Sequence, residues 1–242
     1  ARRILWEFMS ARLVDFVTGN SPQILKDVDR YYRVQKNRLS FIPTEVGSRW
    51  FKSYTSNKRE NEGIEVLFVG NIGRHKGVDT LLRSLCSLKQ TCDLRLILVG
   101  CLPDSDLAWF WNQVEEFGLR ETVELNGRVG QQKLIQYYRK ADILVCPSRV
   151  EGSPRVVKEA AACGCCIIAT RIPGITSIDP EGTFITFVDP DNSKDLSEKI
   201  SNLIEDPLTR HKKSEAGRAF IERKFSSPCI ASKVASFYYR LF

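Results

Sequence analysis

The stretch DILVCPSRVEGSPRVVKEAAACGCCIIAT, Asp142 to Thr170, decides the fold. It opens on the apolar run DILVCPS, turns through Gly-Ser-Pro into the helical pattern PRVVKEAAACG, and closes on a second apolar run, CIIAT. Short runs that are apolar at nearly every position cannot turn one face to water, so they read as strands covered on both sides. A buried strand, a helix and a second buried strand make the repeating unit of a parallel sheet, because parallel neighbours need a crossover long enough to hold a helix.

The same alternation runs outward in both directions. Upstream lie the strand IEVLFVG (Ile64 to Gly70), the helix GVDTLLRSLCSLK, the strand LRLILVG (Leu94 to Gly100), the helix DLAWFWNQVEEFGL, the short strand TVELNG and the helix QKLIQYYRKA. After Asp179 come a strand in TFITFV and helices over Asp191 to Glu205, Leu208 to Lys224 and Pro228 to Leu241, the first capped by Asp191, Asn192 or Ser193. This pattern predicts an α/β fold with a Rossmann-like doubly wound parallel sheet over residues 64–225, followed by a C-terminal helix over 226–242. Residues 1–55 have another texture: a helix in ARRILWEFMSA, a strand-like run in RLVDFVTGN, a helix in SPQILKDVDRYY with Ser21 as cap and Pro22 in its first turn, and a short strand in LSFIP. The polar run SNKRENEG, residues 56–63, reads as a linker.

With 242 residues, 43% of them hydrophobic, the chain can bury a sizeable core. No run of eighteen apolar residues is present, and ARRILWEFMS lacks the features of a signal peptide. A net charge of +7 permits contact with anionic partners, but the basic residues are scattered and no aromatic-interleaved stripe marks a nucleic-acid surface. The eight cysteines read as buried thiols of a reducing compartment; Cys163 and Cys166 are spaced C-x-x-C, yet no second pair completes a zinc set. The acidic triplets at Asp104 to Asp106 and Asp189 to Asp191 read as helix caps, and no metal site is expected.

In a doubly wound sheet, ligands bind beyond the carboxyl ends of the strands. The loop GNIGRHKG after the first strand offers Gly70, Asn71 and Gly73 for close backbone approach, with Arg74 and Lys76 as cations for phosphate; it is neither a G-x-G-x-x-G nor a Walker sequence. After DILVCPS come Glu151 and Glu159, with Ser153 as candidate cap and Pro154 at the first helical position; neither glutamate has a lysine partner on its own face. Two readings stand for these carboxylates. They are solvated charges favoured by the positive end of a helix dipole, or hydroxyl-binding groups that straddle a phosphate held at the helix N-terminus.

The stretch EGSPRVVKEAAACGCCIIAT resembles the E-x7-E signature of retaining GT-B glycosyltransferases, especially family 4, whose usual string runs EG-x-P-x-V-x-x-EA-x-A-x-G-x-P-V-I-A-T. LFVGNIGRHKGVDTLL is similar to that family's first strand and phosphate loop, LILVGCLPDSD to its second strand and loop, VELNGRV to its base-binding turn, and ADILVCPSRVEG to the approach to the signature. FVTGNSPQILKDV and LSFIPTEVGSRWF resemble the segment before the family's C-terminal domain. Two positions depart: Asn71 stands where arginine is usual, and Cys166 replaces the usual proline.

The resemblance implies the C-terminal, donor-binding half of a GT-B fold, with residues 1–55 as a remnant of the acceptor-binding domain and 226–242 crossing back towards it. It assigns Glu159 to the ribose hydroxyls of a nucleotide sugar and Glu151 to the sugar hydroxyls. Gly152, Ser153 and Pro154 fall against sugar and diphosphate, the N–H groups of Val156 and Val157 near phosphate, Lys76 on the diphosphate with Arg74 beside it, and Arg128 and Val129 at the base. The implied reaction moves a hexose from a UDP- or GDP-sugar to a glycan or lipid-linked acceptor with retained configuration and no metal. The implied setting is the cytoplasm, with peripheral membrane contact through Arg2, Arg3 and Arg12, and the chain alone is expected to be an inactive portion of a longer enzyme. Two other classes fit the architecture: a nucleotide-sugar epimerase, which needs histidines and acids around its cleft where this chain has only His75 and His211, and a non-catalytic nucleotide-sugar-binding module.

Overall fold

The computed structural model describes residues 2–52, 63–90 and 92–239. The first elements are α1 (Arg2–Leu13), β1 (Val17–Gly19), α2 (Pro22–Tyr32) and β2 (Leu39–Phe41). The strand expected in RLVDFVTGN shrinks to three residues, because Arg12 and Leu13 complete α1. β1 and β2 pair in parallel, so α2 is their crossover. It begins as its sequence dictates: the Ser21 hydroxyl accepts the Ile24 N–H at 3.2 Å and Pro22 takes the first turn. Beyond β2 the extended stretch at Pro43 to Gly47 leads to a 3-10 turn at Ser48–Trp50, and the Val46 N–H donates to the Phe225 carbonyl at 2.7 Å. The linker expected at 56–63 lies outside the described residues except for Gly63.

From Ile64 strands and helices alternate: β3 (Ile64–Val69), α3 (Val78–Leu88), β4 (Leu94–Val99), α4 (Asp104–Glu116), β5 (Val123–Asn126), α5 (Gln131–Lys140), β6 (Ile143–Cys146), α6 (Arg155–Ala162) and β7 (Cys166–Thr170). There follow α7 (Pro173–Thr176), β8 (Ile185–Val188), α8 (Ser193–Glu205), α9 (Pro207–Phe225) and α10 (Ser227–Tyr238). The short helix α7 is an addition to the predicted elements. β3 to β8 form one parallel sheet in the order β5-β4-β3-β6-β7-β8. The fold is a Rossmann-like doubly wound sheet whose winding reverses between β3 and β6.

Alternation along the strands divides the core in two. Val66 and Phe68 of β3, Leu96 and Leu98 of β4 and Ile168 of β7 pack on α3 and α8 through Leu81, Leu85, Leu196 and Ile200. Leu67, Ile97, Leu144 and Ile167 point the other way, to Val157 and Ala161 of α6, Trp50, Tyr138 and Ile221 of α9. Each such side chain, fully buried, contributes about 1.5–3 kcal/mol. Trp50 brings the N-terminal segment into this second core, and at its far end Phe16 meets Phe237 of α10 edge-on at 5.8 Å.

Candidate functional site

The loops after β3 and β6 flank the point where the winding reverses, so chain topology alone brings residues 70–77 beside residues 147–154. Three glycines let the backbones meet. A Cβ on Gly100 would lie 1.8 Å from the Gly70 carbonyl oxygen, one on Gly77 2.0 Å from that of Pro147, and one on Gly174 of α7 1.9 Å from that of Glu151. Gly77 also has a φ of 70°, which caps the 3-10 turn Arg74–Lys76 and turns the chain into α3. Ile72, fully buried, anchors the loop, and its N–H donates to the Cys101 carbonyl at 2.7 Å, leaving Asn71 exposed.

Lys76 meets Glu151 at this junction: Nζ lies 2.6 Å from Oε1, and the buried Ser148 hydroxyl donates to the same oxygen at 2.9 Å. Glu151 thus has a lysine partner, though not on its own face: the lysine comes from a loop 75 positions earlier, which spacing within one helix cannot reveal. Arg149 locks the same two loops. Its N–H donates to the His75 carbonyl at 3.1 Å, and its guanidinium forks onto Asp79 of α3 at 3.0 and 2.9 Å and reaches Asp191 at 2.6 Å. Burial alone would raise the Asp79 carboxyl, but the Arg149 fork, together with backbone N–H groups at the start of α3, more than reverses this and leaves it below its ordinary value. Asp191 adopts a left-handed φ of 61° and serves Arg149 and Thr80, so the capping expected among Asp191, Asn192 and Ser193 falls to Asn192, whose side chain accepts the Asp195 N–H. Asp104 and Asp106 sit in the first turn of α4 without a side-chain capping bond, in the positive field of the helix end.

Arg74 is held over the Trp109 ring, 5.2 Å from its centroid. The N-cap of α6 is Pro154, so the expectation of Ser153 as cap and Pro154 inside the helix is corrected by one position. Ser153 stands one position before the cap, and its hydroxyl accepts from Lys158 at 3.3 Å. The N–H groups of Arg155, Val156 and Val157 fall in the first turn, where no carbonyl of the helix can reach them, and Val157 is buried beneath. Gly152 packs under Ile24 of α2; a Cβ there would come to 3.0 Å of its Cδ1. Glu159, a turn and more into α6, is only 8% exposed; it accepts the Tyr138 hydroxyl at 3.4 Å and lies 3.4 Å from Arg155. Burial raises its carboxyl above the ordinary value, against the pull of Arg155 and the Tyr138 hydroxyl. Arg128 is exposed in the turn after β5, while Val129 packs on the core; among the described residues no hydrogen bond or ion pair joins them to Lys76 or Glu151.

The structure thus gathers Lys76, Glu151, Gly152, Ser153, Pro154 and the start of α6, keeps Glu159 along the helix, and sets Arg74 and Arg128 at the margins. Arg149, Tyr138 and Lys158 were not anticipated, since they meet Asp79, Glu159 and Thr44 across 70, 21 and 114 positions, and Ser148 was not anticipated although Glu151 lies only 3 positions on. The chemical character is a half-buried cation and free N–H groups for a phosphate, with carboxylates on either side for hydroxyls. Among the described residues no group of three or more His, Cys, Asp or Glu side chains could hold a metal, and no helix is long and apolar enough to cross a membrane.

Comparison with known proteins gives concordant matches. The family model described as glycosyl transferases group 1 matches residues 50–220. The chain is 27% identical over 210 residues to D-inositol 3-phosphate glycosyltransferase of Paenarthrobacter aurescens, covering 83% of this chain and 50% of that protein. It is 34% identical over 220 residues to an uncharacterized glycosyltransferase of Methanocaldococcus jannaschii, covering 87% of this chain and 57% of the other. Among solved structures, sucrose-phosphate synthase from Thermosynechococcus elongatus superposes with a TM-score of 0.86 at 25% identity, over 100% of this chain and 62% of that one. Anabaena HepE in complex with UDP-glucose gives 0.84 at 20% identity, over 96% of this chain and 65% of that one. The chain spans about half the length of the curated relatives it matches.

Proposed function

Because the chain belongs to the family of glycosyl transferases group 1, we propose that it forms the donor-binding part of a retaining hexosyltransferase and holds a nucleotide diphosphate sugar at the β3–β6 crevice. The observation that carries this reading is the Lys76–Glu151 pair, set at the winding reversal and just ahead of the free N–H groups of α6. Glu151 pairs with Lys76 and neutralises it. An arriving diphosphate competes for the lysine, and Glu151, still held by Ser148, turns its freed acceptor to the sugar hydroxyls.

The diphosphate lies against Gly152, Ser153 and Pro154 and the N–H groups of Val156 and Val157, with Lys76 on one side and Arg74 as a second cation. Glu159 takes the ribose hydroxyls, and the turn with Arg128 and Val129 takes the base. As the bond to the sugar breaks, negative charge grows on the departing diphosphate; Lys76 and the α6 N-terminus stabilise that charge more than the ground state. The reading needs no metal. The acceptor, a glycan or a lipid-linked glycan, is engaged through further N-terminal sequence, and Arg2, Arg3 and Arg12 rest on anionic lipid. Binding to phosphatidylserine vesicles should fall when the three arginines are neutralised; absence of binding by the wild type would remove the membrane part of the reading.

The fold neighbour HepE is a UDP-glucose complex, which makes uridine diphosphate sugars the first donors to test against GDP-mannose. Calorimetric titration of this chain should show one nucleotide series binding. Glu159→Ala should weaken it about tenfold to a hundredfold, the loss of two charge-assisted hydrogen bonds to hydroxyls. A folded chain that binds no nucleotide sugar, or a Glu159→Ala variant that binds as well as wild type, would refute the assignment.

A further inference from the structure

Lys158 lies in α6 beside Glu159 and has no role in the donor reading, yet it is 1% exposed. An ammonium has three donors and no acceptor, and a buried one must have all three met. Three separate parts of the chain meet them here: the Thr44 carbonyl at 3.2 Å, the Ser153 hydroxyl at 3.3 Å, and the face of the Phe225 ring, 5.3 Å from Nζ to its centroid. Among the described residues no carboxylate lies within ion-pair distance of it, although Arg155 and Glu159 on its own helix act on it at longer range.

The three partners are mechanically connected. Thr44 belongs to the Pro43–Gly47 stretch that leads out of the small β1–α2–β2 unit, and its hydroxyl accepts from Asn20 at 3.4 Å. Phe225 ends α9, and its carbonyl accepts the Val46 N–H at 2.7 Å. Ser153 stands in the loop between Glu151 and α6. A mere space-filler here would be served by an unbranched apolar side chain. Burial, with Arg155 nearby, instead pulls the Lys158 ammonium down to about 8, so the protein keeps at neutral pH a charge that its surroundings disfavour.

We propose that Lys158 is a positioning residue that couples the Pro43–Gly47 stretch to the donor loop, holding Ser153 in register when that stretch is seated on the end of α9. It acts through Ser153 and does not touch the sugar. Displacing the stretch takes the Thr44 carbonyl from the ammonium, and Ser153 loses its fixed partner. The consequence for catalysis rests on the donor reading of residues 151–159, but the coupling itself does not.

The test is amide hydrogen exchange at Val46, read against amides of β3 and β7 as internal standards. Ser153→Ala removes a hydroxyl from the donor loop that makes no bond to Val46, and it is expected to quicken exchange at Val46 by at least about threefold. Lys158→Met should quicken it about tenfold, and Ser153→Ala should then add nothing in the Lys158→Met background. Should Lys158→Met fail to fold, Ser153→Ala alone decides: exchange at Val46 within error of wild type overturns the coupling. Donor titration is a separate reading. If wild type binds no donor, the proposed function fails while the exchange result still decides this inference; if wild type binds, Lys158→Met should bind several-fold more weakly, and equal affinity would remove the link to the donor loop.

Discussion

At Lys158 the chain holds a charge that could have been replaced by a methionine, and the proton linkage of that charge can be measured. Its ammonium titrates near 8 when folded, against 10.5 for an ordinary lysine. Between these values the unfolded chain binds more protons than the folded one, so the group makes stability rise with pH across that window; below about 8 both states are protonated and the burial penalty is felt in full. The rise is about 3 kcal/mol in total. Denaturant unfolding between pH 7 and 10 should show wild type gaining on Lys158→Met by an amount of that order, and parallel profiles would show that Lys158 is not the buried titrating group. Glu159 has the opposite sign. Its raised carboxyl means that the folded state holds the extra proton above the ordinary value of 4.5, so its contribution falls as pH rises out of the acid range. The two carboxylates were legible in the sequence as a pair, whereas Tyr138 and Lys158 were not: their geometry comes from α5 and from Thr44, 21 and 114 positions away from the groups they meet.

Among the elements, strands and long helices were read almost to the residue, because continuous apolar runs and helical spacing each leave a direct trace in sequence. The misreadings fall where elements begin and end: Arg12 and Leu13 given to a strand, Ser153 named as a cap, α7 overlooked. The Ser153 hydroxyl meets Lys158 and Gly174 of α7 abuts the Glu151 carbonyl, contacts that local preference does not show, while Arg12 and Leu13 are exposed and extend α1 by two residues. Arg149 is the clearest tertiary tie, since it binds the loop after β6 to the first turn of α3 and to the turn before α8. Removing it leaves Asp79 half-buried without its fork. Arg149→Met should cost about 1–2 kcal/mol, discounted for the partial exposure of all three groups. Asp79→Asn should cost much less in the Arg149→Met background than in wild type. A double-mutant cycle in denaturant measures this, and strictly additive losses would mean that the fork contributes nothing of its own.

For the whole molecule, the doubly wound parallel sheet is legible from one repeating unit at Asp142 to Thr170 extended outward, while the strand order β5-β4-β3-β6-β7-β8, with its reversal between β3 and β6, is visible only in the structure. Membership of the glycosyl transferases group 1 family agrees with it along most of the chain. What sequence could not supply was how the N-terminal β1–α2–β2 unit sits on the sheet: Ile24 over Gly152, Trp50 in the second core, and Phe16 on α10 are contacts between distant segments with no pattern of their own. They place a wall of the crevice on a part of the chain that is not wound into the main sheet. The close approaches at Gly77, Gly100 and Gly174 then acquire a wider meaning. Where carbonyl oxygens abut α-carbons with no side chain between, the spacing of the loops after β3, β4 and β6 and of α7 is fixed by the thickness of the peptide backbone, a dimension that no change of side chain elsewhere can alter. Side chains around the crevice are free to change and suit new ligands, while the gauge of the crevice stays the same.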